Sequence, residues 1–208
     1  MRVLDLFCGA GGAAMGLHRA WPEAEIVGVD IAPQPRYPFI FIEADWRRTD
    51  PANFDFIWAS PPCEHYSQCT PKAYRGFHED FIAETRDFLI RAKRPFVIEN
   101  VPSARKLLRN PIMLCGSMFG LGIRRHRFFE LSGFTVMTPT CAHKKSPVLI
   151  TGTHRRTYEP RYEYTVEQCR QASGIDWMTR KELDKAIPPA YSEYIARQFA
   201  LTTKREGG

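Results

Sequence analysis

In the stretch "ASPPCEHYSQ", residues 59–68, a cysteine follows two prolines just after the apolar run "FDFIW". Proline fixes φ and lacks a backbone donor, so Pro61 and Pro62 cannot prolong a central strand and hold the chain in a stiff, extended turn. Cys63 is therefore displayed either as a nucleophile or as a small buried filler. Near the N-terminus, "DLFCGAGG" carries Gly9, Gly11 and Gly12, where glycine lets backbone approach a ligand closely. The spacing departs from G-x-G-x-x-G, so no pyrophosphate is required. Asp30 offers two acceptors to a ribose diol, which points to an adenosine-bearing ligand. Asp45 and the pair Glu99 and Asn100 complete the set of polar residues at unusual places.

All of these residues occupy equivalent positions in the order of elements. "RVLDLF" reads as a strand that runs into the glycine loop and then a helix from Ala13 to Ala20. "AEIVGVD" and "FIFIEAD" read as buried strands ending at Asp30 and Asp45. "FDFIWAS" is a fourth strand, "DFIAETRDFLIRAKR" an amphipathic helix and "PFVIENV" a fifth strand. Such alternation predicts an α/β fold with a doubly wound, mainly parallel sheet. Ligands of such sheets bind beyond the carboxyl ends of the strands, where every residue named above falls. After Asn110 the pattern loosens, with a further strand at "RRHRFFEL" and a closing helix at "SEYIARQFAL".

The chain of 208 residues, 44% hydrophobic and 25% charged, suits one globular catalytic domain with a small appendage. Twenty-nine basic against 23 acidic residues give a net charge of +6, which suits a polyanionic partner. The six scattered cysteines read as reduced thiols of a cytoplasmic protein, because a core of this size needs no disulfides. No apolar run approaches the length of a membrane span, and the N-terminus lacks the apolar region of an export signal.

The stretches "DLFCGAGG", "SPPCEHYS", "IENVPSA", "RRHRFFEL" and "AIPPAYSEYIA" occur in the order and approximate spacing of the cytosine-5 DNA methyltransferases. The chain resembles that family over about residues 1 to 131 and again near 170 to 200, and is similar to its compact bacteriophage-type members. The resemblance implies the S-adenosylmethionine-dependent methyltransferase fold, S-adenosylmethionine as cofactor and double-stranded DNA as partner. It makes Cys63 the nucleophile that adds to carbon 6 of a flipped-out cytosine, and Glu99 the group that contacts ring nitrogen 3 and the exocyclic amine. Asn100 braces the loop that carries Cys63. Arg125 holds a base or phosphate, and Arg127 orients the target ring. Phe7 packs on the cofactor, Gly9, Gly11 and Gly12 shape its loop, Asp30 takes the ribose hydroxyls, Ile31 flanks the adenine and Asp45 accepts from its amino group. Pro62 and the "IPPAY" segment close the pocket.

The chain departs from the family at Ile123, where a glutamine is usual, at Asp184 and Lys185, where Gly-Asn is usual, and at Pro61 and Glu64. The resemblance divides the chain into a catalytic core over 1–131, a reduced target-recognition segment over 132–165 and a returning segment over 166–208. So small a middle segment reads few bases, implying short or relaxed specificity or help from a partner subunit. Lys144, Lys145, His154, Arg155, Arg156 and Arg161 supply positive charge there for a nucleic-acid backbone. Cys115, Cys141, His143 and His154 lack a second closely spaced pair, so they read as ordinary loop residues and no metal is expected. Two rival readings are a tRNA cytosine-5 methyltransferase and a DNA-binding relative that has lost catalysis.

Overall fold

A computed structural model of the protein describes residues 1–62, 81–143, 146–150 and 163–206. Its centre is a seven-stranded sheet of β1 (Arg2–Leu6), β2 (Glu25–Asp30), β3 (Ile40–Glu43), β4 (Phe56–Ala59), β5 (Phe96–Asn100), β6 (Ile112–Leu114) and β7 (Arg127–Ser132). Their order is β3-β2-β1-β4-β5-β7-β6, with β1 to β5 parallel and β7 antiparallel to both β5 and β6. This is the mainly parallel α/β sheet expected from the sequence. The strand order reverses between β1 and β4, so a crevice opens beyond their carboxyl ends.

The apolar runs form strands because both faces of the sheet are covered. Along β1, Val3 faces one core with Leu17, Phe56, Trp58 and Tyr191, while Leu4 and Leu6 face another with Ile57, Ile82, Leu89 and Ile98. Helices α1 (Gly12–Ala20) and α5 (Pro189–Glu206) pack together on the first face, where Ser192 Oγ donates to Ala13 O at 2.8 Å. Helix α2 (Phe81–Ala92) buries Ile82 and Leu89 on the second. The "FIFIEAD" run departs from the expectation of a buried strand. As β3 it lies at the sheet edge, and Ile40 and Ile42 stay about half exposed.

Among the described residues beyond Asn110, three short elements escaped the sequence pattern: the three-residue β6, α3 (Val166–Ser173) and α4 (Arg180–Lys185). Both helices begin with a capping box, Thr165 with Gln168 and Thr179 with Glu182. Their few apolar residues, Cys169, Ala172 and Leu183, join Met178, Ile123 and Ala10 in a third core beneath the glycine loop. Ile123, which stands where the family has glutamine, is thus a core residue with 3% exposure.

Candidate active site

The glycine loop, the Asp30 turn and the residues after β4 and β5 open onto one cleft of about 520 Å³, with α4 along its other side. Phe7 turns the chain out of β1 at φ 57°, a conformation that costs a bulky residue energy and is held by its neighbours. Its ring contacts Trp46 at 5.4 Å and it lines the cleft. Gly9 has φ +48°, and a Cβ there would meet nothing within 4 Å, so its backbone borders open space. Asp30 Oδ2 accepts from Gly9 N–H at 3.0 Å and Oδ1 from Ala32 N–H at 3.0 Å, which holds the carboxylate at the cleft wall beside exposed Ile31.

Gly12 also borders the cleft, but its lack of a side chain serves packing. A Cβ there would come within 2.3 Å of Ile187 O, the first residue of "IPPAY". Gly11 has φ +82° as the N-cap of α1 and faces Tyr37 and Pro38 away from the cleft lining. Asp45 does not line the cleft either. Its Oδ1 accepts from Arg47 N–H at 3.0 Å, capping a 3₁₀ turn, and its carboxylate pairs with the Arg47 guanidinium at 3.3 Å. The structure thus gives Asp45 a capping role outside the cleft lining.

At the other end of the cleft stand Glu99 and Arg127, with Pro61 and Pro62 beside them. Arg127 Nε lies 2.9 Å from Glu99 Oε1, an ion pair not aligned as a hydrogen bond. Both side chains are nearly buried. Burial pushes the Glu99 carboxyl above the usual range, outweighing Arg127, Arg125 and a hydrogen bond with Ser60 that pull it down. The shift favours the protonated form relative to a free carboxyl. Asn100 Nδ2 donates to Pro61 O at 3.0 Å while its Oδ1 accepts from Val101 N–H at 2.9 Å, so this side chain clasps the chain just before Cys63. Cys63 and Glu64 lie outside the described residues, as do Lys144, Lys145, His154, Arg155, Arg156 and Arg161.

Arg125 sits elsewhere than a base-holding role suggests. Its guanidinium is inside the protein, where Nη2 donates to Asp184 O at 2.6 Å, and Tyr191 Oη donates to the Arg125 carbonyl at 2.5 Å. Burial and neighbouring Arg127 pull its pKa down to about 9. Asp184, one of the family departures, thus anchors this arginine through its backbone. Cys8 lines the cleft, but burial and the charges of Asp5 and Asp30 push its thiol strongly upward, which disfavours the nucleophilic thiolate.

The sequence reading missed the contribution of α4 and the turn before it. Met178, Lys181 and Lys185 line the cleft, Trp177 Nε1 donates to Ala10 O at 2.7 Å, and Glu182 pairs with Arg36 at 2.9 Å. These bonds latch the returning segment onto the glycine loop and onto the loop after β2. Only the capping boxes around Thr165 and Thr179 marked these helices in the sequence.

The fold and cleft define an α/β methyltransferase. The structure of the Entamoeba histolytica methyltransferase EhMeth superposes with a TM-score of 0.61 over 97% of this chain and 98% of that one, at 14% identity. A model of the C-5 cytosine-specific DNA methylases matches residues 1–111, more than half of the sequence, and the chain belongs to that family. It is similar to a probable DNA (cytosine-5)-methyltransferase of Frog virus 3 (isolate Goorha), with 26% identity over 215 aligned positions that cover 91% of this chain and 96% of the relative. A shorter likeness, 40% over 68 residues and 28% of this chain, links it to 26% of a trans-aconitate 2-methyltransferase of Yersinia pestis (strain Pestoides F).

Proposed function

We propose that this protein transfers a methyl group from S-adenosylmethionine to carbon 5 of a cytosine flipped out of duplex DNA, with Cys63 as the covalent nucleophile. The observation that carries this reading is the continuity of the cleft. It runs from the glycine loop and Asp30 to Glu99 and Arg127, with Pro62, the residue before Cys63, on its wall. The residue types fit the cofactor: open backbone at Gly9, a fixed carboxylate at Asp30 and apolar Phe7 and Ile31. When bound, S-adenosylmethionine supplies an electrophilic methyl group. Phe7, Gly9, Asp30, Ile31 and Pro62 hold it, while Gly12 borders the cleft, Gly11 shapes the loop from behind and Asp45 caps a 3₁₀ turn.

Carbon 5 of cytosine is a weak nucleophile until carbon 6 is made tetrahedral. The Cys63 thiolate forms a bond to carbon 6, and Glu99 gives its proton to ring nitrogen 3, so carbon 5 becomes enamine-like. The pair with Arg127 holds Glu99 in place and stabilises the carboxylate left behind. After carbon 5 takes the methyl group, water removes the carbon 5 proton. The electron pair then expels Cys63 as thiolate, and the nitrogen 3 proton returns to Glu99. Extrusion of the base lets carbon 6 reach a thiol, and the net charge of +6 favours the DNA backbone.

The test is transfer of a labelled methyl group to cytosine-containing duplex DNA and, in parallel, to tRNA, by the wild type and Cys63→Ala. Labelled 5-methylcytosine in DNA, abolished in the variant, is expected. A cytosine bearing fluorine at carbon 5 should trap a covalent complex with the wild type alone, since its adduct cannot lose a proton there. Label in tRNA only would reassign the substrate. Binding of DNA without transfer to either nucleic acid would leave a catalytically inactive relative.

A further inference from the structure

At the antiparallel end of the sheet, four potential metal ligands from three separate stretches converge. Cys115 is the N-cap of the 3₁₀ turn after β6, His126 stands one residue before β7, and Cys141 and His143 lie in the loop beyond it. Their ligand atoms all lie within 4.8 Å of one another. Cys115 Sγ is 3.5 Å from His143 Nε2, Cys141 Sγ is 3.7 Å from His126 Nε2, and the two Nε2 atoms are 3.2 Å apart.

A tetrahedral ion with zinc–sulfur bonds of about 2.3 Å and zinc–nitrogen bonds of about 2.05 Å sets the edges between its ligands. They come to about 3.5–3.6 Å for sulfur to nitrogen and about 3.3–3.4 Å for nitrogen to nitrogen. The three separations fall within about 0.2 Å of those edges. Hydrogen bonding alone is a poor account. Each Nε2 carries either one proton or one lone pair, yet each faces both the other nitrogen and a sulfur. Four ligand atoms gathered within 4.8 Å of one another match the donor set of one bound ion.

We propose that Cys115, His126, Cys141 and His143 bind a zinc ion. Two thiolates neutralise the dication, and the two-sulfur, two-nitrogen set suits tetrahedral zinc. All four positions are filled by protein, so the ion is structural, with no open position for water or substrate. Ser117 supports the set from outside, since its hydroxyl donates to Cys115 Sγ at 3.4 Å and accepts from Ala142 N–H at 3.2 Å. The sequence reading weighed His154 as the fourth member. That residue lies outside the described residues, and His126 takes the fourth place in the structure.

The location gives the ion a task. His126 lies between Arg125 and Arg127, so zinc ties the start of β7 and its two arginines to the loop that leads into the segment after the sheet. That loop is anchored near its start by Phe134 and Val136 against the core, and a metal clamp fixes its far part, Cys141 to His143, where it meets the start of β7. Because this is a matter of metal binding, it stands whether or not methyl transfer is observed.

The experiment uses the purified full-length protein, grown with zinc and dialysed, with metal measured by mass spectrometry. About one zinc per chain is expected, lost in Cys141→Ser and in His143→Ala and kept in His18→Ala. A second readout needs no variant. Protein stripped of zinc and loaded with cobalt should show the strong visible bands of a tetrahedral site and a thiolate-to-cobalt charge-transfer band, and chelation should lower Tm. Folded wild type that holds only traces of zinc and gives no such spectrum overturns the proposal. So does zinc retained in both ligand variants, or a Cys115–Cys141 disulfide in zinc-replete protein.

Discussion

Strands β1, β4 and β5 are buried among aliphatic and aromatic side chains, whereas β7 and β6 add to their own buried Phe129 and Leu114 a set of polar ties to distant parts of the chain. At the parallel end, Leu4, Leu6, Ile57 and Ile98 are fully enclosed. At the junction with the antiparallel end, Arg86 on α2 forms two 2.7 Å bonds to the carboxylate of Glu130 on β7, both side chains being under a tenth exposed. Arg109 N–H also donates to Glu130 at 2.8 Å, and Arg86 reaches Leu107 O at 2.5 Å. Next to these lie the Arg127–Glu99 pair, the Arg125–Asp184 bond and the Cys/His cluster. Apolar burial needs only approximate complementarity, but buried charges must meet their partners in the right geometry. The parallel end is therefore robust and generic, and the antiparallel end is where specificity for one arrangement resides.

The comparison breaks most sharply at the seam between the ends, where Glu99 comes from a parallel strand and its partner Arg127 from an antiparallel one. Replacing Glu99 by Gln should lower methyl transfer by about 10²- to 10⁴-fold with the fold retained, read by single-turnover rates and circular dichroism. In the wild type, transfer should fall as pH rises through the raised Glu99 pKa, and Glu99→Gln should lose that limb. A variant as fast as wild type would remove Glu99 from the chemistry.

A next, smaller effect concerns stability. Arg86→Met leaves the Glu130 carboxylate buried without its partner and should cost about 3–5 kcal/mol in urea unfolding. Adding Glu130→Leu should recover most of that loss, because removing both charges also removes the desolvation penalty. If the double variant stays as unstable as the single, the hydrogen bond that Glu130 accepts from Arg109 N–H carries more of the stability than charge pairing does.

On β1 of the parallel end a buried acid interrupts the apolar pattern, and it yields a pH signature. Asp5 is buried on β1, and burial with the nearby Asp30 charge pushes its pKa up to about 8, although Tyr37 Oη donates to it at 3.4 Å. An acid with a higher pKa folded than unfolded binds more protons in the folded state. Its stabilising contribution is full below about pH 4 and is lost as pH rises through about 8. Wild type should lose up to about 1.4 kcal/mol per pH unit across that window, a slope that Asp5→Asn flattens. Parallel pH profiles in chemical denaturation would exclude this role for Asp5. The smallest effect belongs to the surface. Arg2→Ala breaks an exposed pair with Glu25 at 2.8 Å and should change stability by less than about 1 kcal/mol.

Much of the fold was legible because its signals are local. Periodicity marked β1, β2, β4, β5 and the helices beside them, and Pro61 and Pro62 marked the end of β4. Edge placement of β3 was not legible, since exposure depends on which strands stand beside it. Of the site, Gly9, Asp30 and Glu99 could be placed by their positions at strand ends and Arg127 by the family resemblance alone, and the structure brings the four to one cleft. Asp45 shows that an acid after a strand also serves as a cap, a role set by Arg47 and the 3₁₀ turn that follows and not visible in the strand pattern.

The sequence by itself determined the strand–helix alternation, the glycine loop and the stiff proline turn, since each follows from backbone sterics and apolar spacing over a few residues. Only the tertiary structure decided that Arg125 turns inward to Asp184, that α4 walls the cleft and that His126 joins Cys115, Cys141 and His143. Those outcomes depend on contacts between residues from 15 to 167 positions apart, which no local pattern of residue types encodes.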